Sequence, residues 1–329
     1  MKFLVVGLGS MGKRRVRCLQ ALGYTEIVGY DPRKDRQLES HSKYSIELIN
    51  SLDQVELSEF DAFIISTPPD KHLQYAKLAI DNNKPAFIEA SVLLDEVKAI
   101  KTHNKKGVFM APSCTLRFHP MIKDLTSIIK SAKYGKVTNF TYHSGQYLPD
   151  WHPWEKVNDF YVSNRITGGA REIVPFELTW IVDTIGWPNE VKGVFGKTID
   201  FGASIEDTYA FILKYSDKIG SVMVDVASRY ATRNLIVNLE KAQIQWRWDD
   251  AFFRIYESGV NRWITVNQPE FSSSTGYNKN IGEAMYVDEI DSFVKGIESA
   301  IYFPNSIDSD IKVLELLNKI ENYEIAGLA

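Results

Sequence analysis

Lys2-Phe3-Leu4-Val5-Val6-Gly7-Leu8-Gly9-Ser10-Met11-Gly12-Lys13-Arg14-Arg15 opens the chain and decides the reading of its first third. Phe3 to Val6 form a short unbroken apolar run, the pattern of a parallel strand covered on both faces. The run then breaks into Gly7-x-Gly9-x-x-Gly12. Gly7 permits a tight turn, Gly9 lets backbone approach a pyrophosphate, and Gly12 lets the following helix pack close to the strand. That helix, Lys13 to Leu22, would aim its first amides and the positive end of its dipole at phosphates. The bland alternative is an ordinary strand-to-helix turn with no ligand. Against it stands a second apolar segment, Glu26 to Tyr30, ending in Asp31. Asp31 lies about 20 residues past the glycines, where an acid takes ribose hydroxyls. Its charge favours NAD by repelling a 2′-phosphate, while Arg33, Lys34 and Arg36 follow closely and leave NADP open.

Composition bounds the rest. At 329 residues the chain is long for one domain and comfortable for two. Its 44% apolar and 24% charged residues are those of a globular protein in water. A net charge of −4 without a dense basic stripe argues against a nucleic-acid partner. The two cysteines, Cys18 and Cys114, give neither a disulfide framework nor a metal-ligand spacing, so no metal is expected. No apolar run reaches membrane-spanning length and the chain enters a strand directly, so a cytoplasmic protein without a membrane partner is expected.

Strand and helix alternate up to about residue 118. Asp61 to Thr67 reads as a buried strand stopped by Pro68-Pro69, and Asp70 then suits the cap of a helix from Lys71 to Asn82. Further strands are expected at Pro85 to Glu89 and Gly107 to Ala111, with a helix at Leu94 to Asn104. Repeated units of this kind imply a doubly wound parallel sheet, a Rossmann domain of residues 1–118, with ligand at the carboxyl ends of the strands. From Val137 the pattern changes to long strands joined by short turns, the mark of an open, mainly antiparallel sheet with one covered face. Glu172 to Ile185 reads as a helix crossing it. Residues 119–329 are therefore an α+β domain, and its two closing helices are expected to pack back on the first.

Four stretches together resemble the Gfo/Idh/MocA oxidoreductases over essentially the whole chain. They are GLGSMGKR at the start, STPPDKH at Ser66 to His72, LRFHP at Leu116 to Pro120, and DWHPWEKVNDFYVSNRITGG at Asp150 to Gly169. The last is similar to members from bacterial nonulosonic-acid and other surface-sugar pathways. The resemblance implies hydride transfer between a nicotinamide and a sugar or related polyol. It also implies a homodimer or homotetramer formed through the open sheet. Carried over one residue at a time, it assigns the cofactor to Gly7, Leu8, Gly9, Ser10, Met11, Gly12, Asp31 and Arg33. Thr67, Pro68 and His72 line the nicotinamide-ribose region and Glu89 lies near the nicotinamide.

The usual proton-handling groups are replaced. The family's Glu-Lys-Pro is Glu89-Ala90-Ser91 here, which removes the lysine. Its aspartate position holds Ile173, and its histidine position holds Glu177, or Phe176 in a subgroup shifted by one. Removing a hydride from an alcohol needs a base for the hydroxyl proton, assistance worth about 10²–10⁴-fold. Glu177 beside Phe176 and Trp180 is one candidate, its alternative being an ion pair with Arg171. Tyr161 is the other, as a general acid or as a packed aromatic. For substrate, Arg117, Arg165 and Arg171 offer guanidinium forks. Trp151, Trp154 and Tyr147 offer flat faces, and His119 is either a pocket group or a structural histidine at a helix entry. Trp246 and Trp248 are expected to cover the open sheet or a subunit interface rather than to meet substrate. Two further readings stay open: an NAD-retaining epimerase or lyase, and a non-catalytic binder of cofactor or sugar.

Overall fold

A computed structural model describes residues 1–151, 153, 155–268, 282–299 and 301–322. They divide into two compact units. The first comprises Met1–Phe118 and the described residues up to 312 that follow 281; the second comprises the remainder.

The first unit runs β1 (Phe3–Val6), α1 (Ser10–Ala21), β2 (Ile27–Tyr30), α2 (Lys34–Tyr44), β3 (Glu47–Leu48), β4 (Ala62–Ile65), α3 (His72–Asp81), β5 (Ala86–Ile88), α4 (Leu94–His103) and β6 (Met110–Pro112). The sheet is wholly parallel in the order β3-β2-β1-β4-β5-β6. The chain winds outward from β1 to β3, then crosses back to β4, so β1 and β4 are neighbours and Val6 lies beside Ile65. Their carboxyl ends form the crevice where doubly wound sheets take ligands. Both strands are buried along their full length, which is why neither alternates in sequence. Helix α2 was not expected. Its eleven residues are mostly polar and bury only Gln37 and Ser40, so no apolar period announced it.

Helix α7 (Ala284–Ser299) also lies in this unit, against α1. Its Phe293 ring packs on Phe87 and Phe109, with centroids 5.9 and 5.6 Å away. Residues 119–329 are thus not one continuous domain: the apolar face of α7 finds its core in the first unit.

The second unit contains α5 (Pro120–Lys130), β7 (Val137–Tyr147), α6 (Ala170–Ile185), β8 (Glu190–Gly196), β9 (Thr208–Lys214), β10 (Ile219–Asp225), β11 (Ala227–Leu239), β12 (Ala242–Arg247), β13 (Phe252–Glu257) and β14 (Arg262–Asn267). Helix α8 (Ile307–Glu321) is divided between the units at Lys312. The eight strands run β14-β13-β12-β11-β7-β10-β9-β8, antiparallel except for the β7–β10 pair. The expected class, a parallel Rossmann sheet plus a mainly antiparallel open sheet, is the observed one. On β10, Gly220, Val222 and Val224 are buried while Ile219, Ser221 and Met223 are exposed. The exposed face carries Val194, Ile212, Met223 and Ile236. Pro175 sits in the second turn of α6, which forgoes the bond its missing N–H would make to the Arg171 carbonyl.

Candidate functional site

The glycine turn after β1 is built to closer tolerances than its sequence pattern requires. Gly7 holds φ at +89°, and a Cβ there would lie 2.5 Å from the Ser66 carbonyl oxygen. A Cβ on Gly12 would lie 1.8 Å from the Gly7 carbonyl oxygen, so α1 can approach β1 only with hydrogen at that position. Gly9, the residue preceding α1, differs: a Cβ there would meet only the Arg36 guanidinium, whose Nη1 is 3.5 Å away. The outer side of the turn is therefore backbone and helix amides with one cation beside them, a fit for a diphosphate.

Leu8 is buried and donates its N–H to Asp31 Oδ2 at 2.7 Å; Arg33 donates its N–H to Oδ1 at 2.8 Å. Asp31 thus braces the turn through Oδ2 and its own segment through Oδ1. The Arg33 guanidinium pairs with Asp35 at the surface. Ser10 and Met11 open α1, and the Met11 sulfur accepts from Arg14.

At the end of β4, Thr67 Oγ1 is buried and has no hydrogen-bond partner within the protein. Pro68 precedes a 3₁₀ turn, Pro69–Lys71, that leads into α3. His72 does not offer a free ring nitrogen: Nδ1 lies 3.1 Å from Ser91 Oγ and Nε2 lies 3.0 Å from the Thr67 carbonyl. Burial lowers its pKa, so the neutral ring shapes the Thr67 loop instead of reaching a cofactor itself. Glu89, at the end of β5, is gripped by Arg15 through Nε at 2.6 Å and Nη2 at 3.0 Å. Arg15 also meets Glu289 of α7 at 2.9 Å. Glu289 accepts further bonds from Ser113, the Cys114 amide and Thr115, and burial raises its pKa. Arg15 and Glu289 were missed from sequence. The available signal was an arginine on the apolar stripe of α1, three residues after Gly12 and four before Leu19.

In the second unit several assignments change. Glu177 is fully buried and accepts from Tyr142, Trp180, Ser144 and Arg233. With both oxygens already accepting from a cation and three neutral donors, it has no free face for a substrate proton. Its ion partner is Arg233, not Arg171. Arg171 instead grips Glu321 of α8 at 2.7 and 3.1 Å and donates to the Ile166 carbonyl, which makes it a clamp between segments of this unit. His119 is buried between Trp246 and Trp248, with centroids 5.5 and 5.1 Å away. Burial, then the nearby Arg233 charge, pushes its pKa down to about 3. It is core, and both tryptophans are buried with it on the covered face, not on the open one. In the first unit, Arg117 donates to the Pro304 carbonyl and likewise serves the fold.

Two candidates keep accessible chemistry. Arg165 is 66% exposed and pairs with Glu206. Tyr161 donates its hydroxyl to Glu172 Oε1 at 2.7 Å. The second oxygen of Glu172 is buried without a partner, and burial raises the carboxyl to about 7. Glu172 stands in the first turn of α6. Trp154 lies outside the described residues. Among the described residues no cluster of three or more His, Cys, Asp or Glu side chains suits a metal, and no helix is long and apolar enough to cross a membrane.

Residues 1–110 match the model of the Gfo/Idh/MocA oxidoreductase family, NAD-binding Rossmann fold. No curated protein sequence matches the chain. Solved structures of similar fold include an oxidoreductase from Agrobacterium radiobacter in complex with NAD+, L-tartaric acid and magnesium, with TM-score 0.84, 13% identity, and 98% of this chain and 95% of that one covered. Levoglucosan dehydrogenase in complex with NADH and L-sorbose aligns with TM-score 0.84 and 14% identity over 98% and 96% of the two chains. UDP-N-acetylglucosamine 3-dehydrogenase from Acidithiobacillus ferrooxidans aligns with TM-score 0.76 and 16% identity over 97% and 96%. Residues 1–110 are thus similar to the NAD-binding Rossmann fold of that family. Across both units the chain shares the fold of these structures.

Proposed function

We propose that this chain is an NAD-dependent oxidoreductase that exchanges a hydride with a carbon of a sugar, a nonulosonic acid or an activated-sugar derivative. The observation that carries the reading is the Gly7-Gly9-Gly12 turn, where two positions admit no side chain and the third opens onto helix amides. The bound nicotinamide would supply the hydride chemistry. The protein's own part is to hold the diphosphate on the turn and the α1 amides, and to offer the orphan Thr67 hydroxyl and the Arg15-fixed Glu89 at the neighbouring strand ends. Arg165, the most exposed of the candidate guanidinium groups, is the proposed substrate fork.

Tyr161 is the proposed proton carrier, with Glu172 behind it. A phenol bonded to a carboxyl that titrates near neutrality can pass a proton in either direction without stranding a charge. Glu177 is left with a structural role. The sugar class rests on the levoglucosan and UDP-N-acetylglucosamine dehydrogenase likenesses. The open face of the eight-stranded sheet, with Val194, Ile212 and Met223 exposed, is the proposed contact between copies of this chain.

The test is calorimetric titration of coenzyme-stripped protein with NAD+ and NADH, then nicotinamide absorbance with free and nucleotide-linked sugars. Wild type should bind at least one coenzyme form. Gly12→Val, which drives a side chain into the Gly7 carbonyl, should bind neither. If wild type binds neither, the reading is wrong.

A further inference from the structure

Arg15 lies between two carboxylates, and a clasp of α7 on α1 needs only one. Its Nε and Nη2 grip Glu89 at the end of β5, and its Nη1 lies 2.9 Å from Glu289 of α7. The guanidinium carbon stands 4.5 Å from the centre of the Phe87 ring, so the fork is packed as well as paired. Glu289 is surrounded by donors: the Cys114 amide and the Ser113 hydroxyl on one oxygen, the Thr115 hydroxyl and Arg15 on the other. That is the environment of an ionised carboxylate, which only accepts. Burial pushes its pKa up, while Arg15, Thr115 and the Cys114 amide pull it back.

The cluster therefore sets one cation against two carboxylates and carries one negative charge in excess. Arg14 and Arg17, the neighbouring cations of α1, pair with Glu283. His72, near Glu89, is kept neutral by burial. An excess charge in a buried cluster costs stability unless something offsets it. Only one member of the cluster can meet a ligand: the Glu89 side chain is 12% exposed, those of Arg15 and Glu289 0%. Glu89 stands among the carboxyl ends of the parallel strands, where Ser66 Oγ, after β4, lies 3.3 Å from its Oε1. A group that offsets the excess is therefore a cation presented to Glu89. Of the two coenzyme forms, only the oxidised one has a cationic nicotinamide ring.

We infer that Glu289 is a positioning residue for the coenzyme site. Through Arg15 it fixes Glu89, and its charge leaves these strand ends one unit negative, so that they favour the oxidised, cationic nicotinamide over the reduced one. This rests on the dinucleotide reading above. Nothing in it depends on the sugar substrate.

The test measures the affinities of NAD+ by calorimetry and of NADH by fluorescence on the full-length protein, for wild type, Glu289→Gln and Glu289→Asp. The readout is the ratio of NAD+ to NADH affinity, which a structural loss common to both coenzymes does not move. Glu289→Gln, which keeps the shape and removes the charge, should lower the ratio about threefold to tenfold. Glu289→Asp, which keeps the charge, should change it by less than about twofold. Glu89→Gln removes the same unit of charge from the partly exposed member and should lower the ratio at least as far, which keeps the test open should Glu289→Gln not fold. An unchanged ratio in either glutamine variant, or an equal fall in Glu289→Asp, overturns the inference and leaves the dinucleotide reading standing. Failure of wild type to bind either coenzyme removes that reading and this inference together.

Discussion

Replacing Glu177 by glutamine separates the two roles its position allows. The carboxylate lies at the centre of the second unit, with Arg233 Nε at 3.0 Å and Ser144 Oγ at 2.8 Å on one oxygen, and Tyr142 at 2.7 Å and Trp180 Nε1 at 3.0 Å on the other. Glutamine has one acceptor oxygen and one NH₂, so in either orientation its NH₂ points at two donors. The Tyr142 and Ser144 hydroxyls can turn away; the indole N–H and the guanidinium cannot. Breaking a buried pair by removing one charge costs about 3–5 kcal/mol. A value near 4 kcal/mol corresponds to a fall of roughly 10 °C in Tm for a unit of this size. Urea and thermal unfolding of Glu177→Gln should show that loss. Arg233→Met added to it should cost less than the two single changes summed, because the uncompensated charge is then gone. NADH affinity, set in the first unit, should stay within about twofold. A stability loss under about 1 kcal/mol together with abolished turnover would refute the structural assignment and return Glu177 to the role of base.

Two further outcomes follow from groups whose titration the fold displaces. Glu172 is raised from 4.5 to about 7, so its contribution to stability is complete below its unfolded value and is lost as pH rises through about 7. Glu172→Gln should therefore match wild type at acid pH and exceed it at pH 8 by up to about 3 kcal/mol, and should remove the neutral-pH limb of any pH–rate profile. Unfolding curves that shift equally at both pH values would contradict it. His119, lowered from 6.5 to about 3, stabilises the fold above its unfolded value, and that stability is lost as pH falls. The second unit should lose about 1.4 kcal/mol per pH unit below about 6.5 from this one residue. His119→Phe should flatten that slope, and an unchanged slope would place the titration elsewhere.

What the sequence determined by itself is what local chemistry dictates. Phe3 to Val6 had to be a doubly covered strand because an unbroken apolar run has no polar face to show water. Gly7 and Gly12 were legible because each answers a problem of a few ångströms within one turn. Helix α2 was not legible, since a helix that buries little shows no apolar period. Only the tertiary structure decided how the named residues are used. Asp31 was recognisable as the acid after β2, but the direction of its oxygens depends on the Leu8 amide 23 positions earlier. Glu177 became a structural anion because the fold brings Arg233 to it from 56 positions away, and Arg15 could be read as buried only once Glu89 and Glu289 closed on it. Helix α7 belongs to the first unit because Phe293 meets Phe87 there. The common reason is range: turns and strands answer to neighbours in sequence, whereas a charge or an aromatic ring takes its role from partners that only folding brings near.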